Sequence, residues 1–255
     1  MRWKFSSWPW LTTYGLVLYL MFLLINVPAD IVWSLVPQQV KRDIIVSNLQ
    51  GTAWSAKADG IIVNNLDLGK TNWTINPLLL FVGKLGGHIN IRNAMGQAQS
   101  GFSLQSDQLL NLSNLTGEFN AAMLDPAIRP FTLGGMFKSN LSTLQLQRKT
   151  FLAATGTLQW NNASISGVQE VSLGNITLNA MPESKGTRLQ VANEGGVIAI
   201  SGEIRVAGNG RYTLNLLLSN RDKSQSEIDR MLAFLGRADA QGRIRLNQQG
   251  MLKGW

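Results

Sequence analysis

The sequence predicts a mainly β fold, in which a single N-terminal transmembrane helix precedes an antiparallel, curved β-sheet domain with a few short helices. Three observations predict it: an uncharged apolar stretch near the start, many short runs in which apolar and polar residues alternate, and Gly or Asn between those runs. Alternation of this kind is typical of strands with one buried and one solvated face. We therefore expect a long sheet with an apolar and a polar side.

The stretch from Trp8 to Val27 predicts a membrane anchor. It carries no charge, and about twenty residues rising 1.5 Å each span roughly 30 Å, the thickness of a bilayer's hydrocarbon core. Arg2 and Lys4 precede it, so the positive-inside rule places the N-terminus in the cytoplasm and the rest of the chain across the membrane. We expect a cytoplasmic tail at residues 1–10 and the anchor at 11–27.

A cleaved signal peptide and a buried core helix are the two alternatives to this anchor. The apolar run is longer than that of a signal peptide, and residues 26–30 contain no Ala-x-Ala cleavage site. A core helix that is apolar on all sides is rare so close to a chain end. The anchor is the better interpretation.

Composition limits the chemistry of the remaining chain. The 255 residues include no Cys, which excludes a disulfide scaffold and thiolate catalysis. The net charge is +8, but the Lys and Arg residues are scattered, and an exported domain does not meet nucleic acid. A basic surface facing anionic lipid head groups or an acidic partner is the better interpretation.

Residues 28–40 predict a short amphipathic helix beside the membrane, enclosed by Pro28 and Pro37. Trp33 would lie at the level of the head groups. A helix packed on the following domain is the alternative.

The first β half is expected at residues 41–149. Strand-like runs are predicted at 44–47, 61–68, 70–75, 88–92, 96–106, 112–119 and 141–148. The strand pattern is interrupted by a short helical turn, which we expect between residues 76 and 83. Asn76 can cap it, Pro77 suits its first position, and Gly83 suits its C-terminal end. Residues 120–131 are expected to form a helical turn and a loop.

The second β half is expected at residues 150–255. Strand-like runs are predicted at 155–160, 169–173, 175–180, 187–192, 197–206, 211–219 and 241–248. Asn209-Gly210 predicts a tight hairpin, because both residues tolerate positive φ. Ser224 and Glu227 have capping-box spacing ahead of an apolar stripe that ends at Leu235, which predicts a helix.

The two halves share a pattern that suggests a tandem repeat. Gly51-Thr-Ala-Trp54 and Gly156-Thr-Leu-Gln-Trp160 are each followed, eighteen residues after the Gly, by a second glycine, Gly69 or Gly174. The offset of 105 residues (156 − 51 and 174 − 69) fits two related β halves. Chance similarity is the alternative.

No catalytic or metal-binding group of residues stands out. His88 is the one histidine and lies in a strand-like context, which favours a structural or exposed side chain. Ligand-spaced His or carboxylate clusters and close acidic pairs are absent from the sequence, and the glycine pairs join strands rather than a strand and a helix. We expect no enzyme activity and no cofactor. A membrane-tethered sheet of this kind can dock other subunits or hold lipid chains on its apolar face.

The order of motifs resembles protein N of the bacterial type II (general) secretion system. The resemblance is carried by the basic tail and single anchor, Leu49-Gln-Gly-Thr-Ala-Trp-Ser, Asn72-Trp-Thr-Ile-Asn-Pro-Leu-Leu-Leu, Gly83-Lys-Leu, Gly156-Thr-Leu-Gln-Trp-Asn-Asn-Ala and Ser172-Leu-Gly-Asn-Ile-Thr-Leu. It extends over nearly the whole chain. One departure is Ala56, where a glycine would be expected.

The resemblance implies a non-catalytic protein of the Gram-negative cell inner membrane with its bulk in the periplasm. It would support export of folded proteins, and its partners would be the membrane, the inner-membrane platform subunits and the outer-membrane secretin. Lipid binding or transfer is the alternative function. The positions that match the family are structural rather than catalytic: Gly51, Trp54, Trp73, Pro77, Gly83, Trp160 and Gly174. We expect the tryptophans to anchor the core, since a buried indole can bury roughly 200 Å².

Overall fold

The computed structural model describes residues 8–63, 66–105, 107–147, 150–167, 169–184, 186–222, 224 and 226–251. These residues form one curved antiparallel sheet of 14 strands, together with a few short helices. The mainly β class and the antiparallel, curved sheet are therefore confirmed. The predicted tail lies largely outside the described residues, since its first seven positions are not among them.

The helices are short apart from the first. They are α1 (Trp8–Ile25), α2 (Ala29–Leu35), α3 (Gln38–Lys41), α4 (Asp125–Ile128) and α5 (Ser226–Ala233), with 3-10 helices at Pro77–Val82 and Ala121–Leu124. The strands are β1 (Ile44–Ser47), β2 (Gln50–Gly51), β3 (Ser55–Val63), β4 (Leu66–Ile75), β5 (Lys84–Asn93), β6 (Gly96–Gln105), β7 (Leu109–Asn120), β8 (Thr132–Gln147), β9 (Thr150–Ser166), β10 (Glu170–Glu183), β11 (Gly186–Glu194), β12 (Ile198–Ala207), β13 (Arg211–Asn220) and β14 (Ile244–Met251).

Helix α1 lies within the stretch for which the sequence predicts a membrane anchor. Its side chains from Trp10 to Ile25 are exposed. Within the part of the chain that the structure describes, no helix has both the length and the apolar character needed to cross a membrane. The transmembrane helix therefore stays a prediction.

The sheet is a meander in which nearly every strand pairs with the next strand in the chain. The order runs β1-β3-β4 and then consecutively to β14, while the two-residue strand β2 pairs with β3 beside this path. The longest strands, β8 and β9, have 16 and 17 residues and lie in the middle of the sheet. Strands β1 and β14 form its two open edges.

Two glycines that the sequence suggests as strand boundaries instead lie inside strands. Gly69 in β4 and Gly174 in β10 have φ values of 69° and 72°, and the pairing register shifts at both positions. An extra residue in a left-handed conformation makes a β-bulge, which bends a strand without ending it. The separate strands predicted at 169–173 and 175–180 are therefore one strand. Conversely, the single strand predicted at 61–68 contains the end of β3 and the start of β4.

The spacing of 105 residues recurs in the elements themselves. The two bulge glycines are separated by 105 residues (174 − 69). The helical segment at 121–128, which contains the 3-10 helix and α4, is separated from α5 at 226–233 by the same number (226 − 121 and 233 − 128). The hairpin of β3 and β4 likewise corresponds to that of β9 and β10. These matches favour the tandem repeat, which remains a hypothesis.

The main core lies in the second part of the sheet, between strands β9 to β14 and helix α5. Its buried residues are Ala163, Leu173, Ile176, Val191, Ile198, Leu218, Leu232 and Ile244. The predicted apolar stripe of α5 is divided: Leu232 is buried and Ile228 packs against the cluster, whereas Met231 and Leu235 are exposed. Helix α5 therefore covers the apolar face with one side only.

A buried asparagine ties the far end of this core together. The Asn193 side-chain amide donates to the carbonyl oxygens of Leu173 (2.6 Å) and Ile198 (2.8 Å). Its Oδ1 accepts from the Ile200 backbone N–H (2.7 Å) and from Nη2 of Arg221 (2.9 Å). Every hydrogen-bonding atom of this buried side chain is thus satisfied.

Candidate functional site: the polar face of the sheet

The sheet carries an unbroken row of polar side chains from β3 to β14. Directly opposite residues of neighbouring antiparallel strands point to the same face, so one polar residue per strand makes a continuous row. Its members, each the register partner of the next, are Lys57, Asn72, Asn90, Gln99, Thr116, Asn140, Thr157, Asn179, Gln190, Glu203, Asn215 and Asn247. We call this set the polar row. Because most of its members are neutral, it presents hydrogen-bond donors and acceptors with little charge.

A cavity of about 880 Å³ lies over the polar row at strands β4 to β9. A second row, two positions away from the polar row on each strand, also lines the cavity, and all of the cavity's charged residues lie in this second row. Those charged residues are Lys70, Arg92, Glu118 and Lys138. Three cations against one carboxylate give the cavity a net charge of +2.

Two of these cations stand directly opposite each other. Lys70 and Arg92 are register partners on β4 and β5. Neither takes part in an ion pair within the described part of the chain, whereas Lys138 Nζ lies 3.2 Å from Glu118 Oε1. Like charges on opposite strands destabilise a sheet by about 0.2–1 kcal/mol. An acidic group placed between them would remove this repulsion.

The cavity wall consists mainly of amide, hydroxyl and charged side chains, and no histidine is among the described residues that line it. His88 lies outside its wall, exposed on β5, with Thr74 and Gly101 as its register partners. Among the described residues, no three His, Asp or Glu side chains come together as a metal site. The available chemistry is hydrogen bonding from amides and hydroxyls together with two uncompensated positive charges.

The open edge at β14 is a second surface available for binding. Among the described residues, this strand of eight residues pairs with one strand, β13, and its other side makes a single isolated bridge, between Ile244 and Ala238. Beyond that bridge its outer backbone groups have no strand partner in the described part of the chain. Such edges can accept an additional strand from another chain. The opposite edge, β1, has four residues and offers a shorter template.

The tryptophans of the motif positions are half-buried, and two of them form hydrogen bonds. Trp160 Nε1 donates to the carbonyl oxygen of Gly134 (2.8 Å), and its ring stacks on Phe137 with centroids 5.1 Å apart. Trp54 Nε1 donates to the carbonyl oxygen of Leu24, at the end of α1 (2.8 Å). Trp73 lies on β4 between its register partners on β3 and β5. Trp54 and Trp73 are neighbours, because Ala56 pairs with Trp73 and the Ile75 N–H donates to the Trp54 carbonyl oxygen (2.7 Å). Trp160 lies five strands away on β9, so the three side chains do not form one site.

The remaining motif positions shape the backbone. Gly51 and Gly174 have positive φ, and a Cβ at either position would overlap a neighbouring carbonyl oxygen. Pro77 begins the short 3-10 helix and Gly83 ends it with φ 70°, while the Asn76 side chain accepts from the Leu78 N–H (3.0 Å). The helical turn predicted from these residues is confirmed. None of these positions lines the cavity.

Sequence reasoning missed the paired cations and the polar row. In the sequence, each of these residues is typical of a solvent-facing strand position. Which residues stand opposite each other depends on the register of every hairpin. The one signal available was the excess of Asn, Gln and Thr at alternate positions.

A family model described as type II secretion system (T2SS), protein N, matches residues 43–247. No curated protein and no solved structure shows significant similarity to the chain. The family match extends over most of the chain and includes strands β1 to β13 and the start of β14. The chain therefore belongs to this family, as the motifs predict.

Proposed function

We propose that this chain, a component of the type II secretion system by family, is a non-catalytic subunit that supports export of folded proteins across the outer membrane. The observation that carries the proposal is the family match at residues 43–247, which includes nearly the entire sheet. The polar row and the cavity support a binding role, because they supply many hydrogen-bonding groups and the opposed cations Lys70 and Arg92.

The cavity is the proposed contact with other secretion subunits. A partner segment that carries Asp or Glu would place a carboxylate between Lys70 and Arg92, while amides of the polar row bind its backbone. Platform proteins of the inner membrane and the secretin are the proposed partners. Electrostatic complementarity of this kind mainly sets specificity and association rate.

The proposed location is the inner membrane, with the N-terminus in the cytoplasm and the sheet in the periplasm. The exposed apolar side chains of α1 support membrane attachment, since such a surface is unfavourable in water. In this arrangement residues 28–40 lie along the membrane surface, and residues 41–149 and 150–255 are the two related halves.

A strain lacking the gene tests the proposed function. We expect folded exoproteins to accumulate in its periplasm while outer-membrane permeability and lipid asymmetry stay normal, and we expect the plasmid-borne gene to restore secretion. Normal secretion from the deletion strain would contradict the proposal.

Charge substitutions in the cavity test the proposed contact. The double variant Lys70→Gln/Arg92→Gln should reduce secretion and subunit co-purification at normal abundance, because it removes both uncompensated cations. The double variant Arg211→Gln/Arg237→Gln makes the same change in net charge at exposed positions outside the cavity and should secrete normally. Equal secretion by the two variants would exclude the cavity as the contact.

Lipid binding is a second candidate function, favoured by the apolar face of the first part of the sheet. Ile89, Ile91, Phe102 and Leu112 are only half-buried there, in contrast to the buried cluster of strands β9 to β14. A photoactivatable phospholipid should label this face if the function is lipid transfer. The deletion strain would then secrete normally and show a permeable, lipid-disordered envelope.

A further inference from the structure

The short 3-10 helix Pro77–Val82 displays a compact set of apolar side chains to solvent. Phe81 is 85% exposed, Leu78 69% and Val82 66%, and Leu80 is also exposed. We call these four residues the apolar tip. Exposure of this much apolar surface at one turn indicates an interaction site.

The backbone holds the apolar tip in a fixed conformation. Asn76 caps its first turn, and the Gly83 N–H closes the last turn by donating to the Leu80 carbonyl oxygen (3.0 Å). Leu79 alone turns inward and packs at Gly86 of β5, where an added Cβ would lie 2.7 Å from its Cδ1. The inward Leu79 therefore fixes the turn while its neighbours point away from the sheet.

The apolar tip lies at the same end of the sheet as the exit of α1. The Trp54 indole N–H donates to the Leu24 carbonyl oxygen near the end of α1 (2.8 Å), and the Ile75 N–H donates to the Trp54 carbonyl oxygen (2.7 Å). Pro77 follows Ile75 by two residues, which span at most about 7 Å. Three hydrogen-bonded segments thus connect the end of α1 with the start of the tip.

Helix α2 adds further apolar surface at this end of the sheet. Pro28 forms a bridge with Thr52, and Leu35 and Ile31 of α2 are 79% and 52% exposed. Exposed cations lie near these segments: Lys84 follows the tip after Gly83, and Arg42 follows α3. Apolar side chains beside Lys and Arg match the acyl boundary and the anionic head groups of a membrane surface.

We propose that the apolar tip inserts into the interface of the bilayer to which α1 attaches. A bilayer is favoured over a protein partner because the tip lies at the end of the sheet where the exposed apolar helix α1 joins it. The inference rests on the proposed membrane attachment and adds a second contact. Two contacts, one through α1 and one through the tip, fix how the sheet is oriented relative to the membrane.

The absence of native cysteine allows a direct test with the full chain. Single variants Phe81→Cys, Phe22→Cys and Phe234→Cys place an environment-sensitive NBD fluorophore on the tip, on α1 and on α5. Phe234 is the matched control, since it is a phenylalanine that is 90% exposed on the segment after α5, at the other end of the strands. Each labelled protein is reconstituted into vesicles of phosphatidylethanolamine and phosphatidylglycerol with or without bromine on the acyl chains.

We expect blue-shifted emission and quenching by brominated lipid at positions 81 and 22, and aqueous emission at position 234. Quenching at 22 with aqueous emission at 81 would refute the tip insertion while leaving the attachment through α1 intact. Aqueous emission at both 22 and 81 would refute the attachment and the inference together. Circular dichroism of the three variants verifies that the sheet is retained.

Discussion

We expect Trp160→Ala to destabilise the sheet more than a Trp→Ala substitution at an exposed position. Its ring stacks on Phe137 at a centroid distance of 5.1 Å, and its indole N–H donates to the Gly134 carbonyl oxygen. A buried Trp→Ala change costs about 3–5 kcal/mol, and the half-buried position places Trp160→Ala at about 3 kcal/mol. Of this free energy, the stacked ring pair and the hydrogen bond each contribute about 1 kcal/mol.

Urea unfolding of the purified chain in detergent measures this effect. With a slope of about 3 kcal/mol per M urea for a sheet of this size, the midpoint should fall by about 1 M in Trp160→Ala. Trp160→Phe keeps an aromatic ring and loses the N–H donor, so its midpoint should fall by about 0.3 M. Phe137→Ala combined with Trp160→Ala should be less destabilising than the sum of the two, by about 1 kcal/mol.

The control is Trp10→Ala, since that side chain is 62% exposed on α1. A change at such a position usually alters the free energy of unfolding by less than about 0.5 kcal/mol. If Trp160→Ala unfolded at the same urea concentration as Trp10→Ala, the reasoning that Trp160 anchors the sheet would be refuted.

Three further predictions concern the backbone, the core and a surface carboxylate. Gly174→Ala should lower the urea midpoint more than Gly83→Ala: both residues have positive φ, which costs about 1 kcal/mol, but only at Gly174 does the added Cβ overlap a carbonyl oxygen. Asn193→Ala should reduce the free energy of unfolding by about 3 kcal/mol, because several buried partners lose their hydrogen bonds; an unchanged midpoint would contradict this. Asp239 should show by carboxyl NMR a pKa below its ordinary 3.8, chiefly because the Arg243 backbone N–H donates to it. Its stabilising effect is present above pH 3.8 and is lost as the pH falls through the lowered pKa, and Arg243→Ala should retain part of the shift because the backbone donor remains.

Local signals predicted the local structure well. The 3-10 helix at 77–82 follows from a capping Asn, a Pro and a C-terminal Gly, which act within one turn and do not depend on distant residues. The hairpin at 207–211 also forms, with the Gly210 N–H donating to the Ala207 carbonyl oxygen (2.9 Å). Its conformation differs from the expected two-residue turn, since Gly210 has positive φ and Asn209 does not. The Asn209 side chain instead accepts from the Arg211 N–H (3.0 Å).

Long-range features escaped prediction because they depend on register. A register shift of one residue moves a side chain to the other face of the sheet. The bulges at Gly69 and Gly174 introduce such shifts inside β4 and β10, at positions where the sequence predicts a boundary between two strands. The polar row and the opposition of Lys70 and Arg92 therefore could not be derived from alternation alone. Division of the α5 stripe into a buried and an exposed part likewise depends on where the helix meets the sheet.

The meander has a consequence for how the chain acquires its structure. Because nearly every strand pairs with its successor, each new hairpin closes only a short loop, which keeps the entropic cost of every pairing step low. The sheet can therefore grow from β3 onward while later segments are still being synthesised. Each arriving strand covers the edge left by the last, so a single growing edge, rather than many, is exposed to aggregation until β14 is in place.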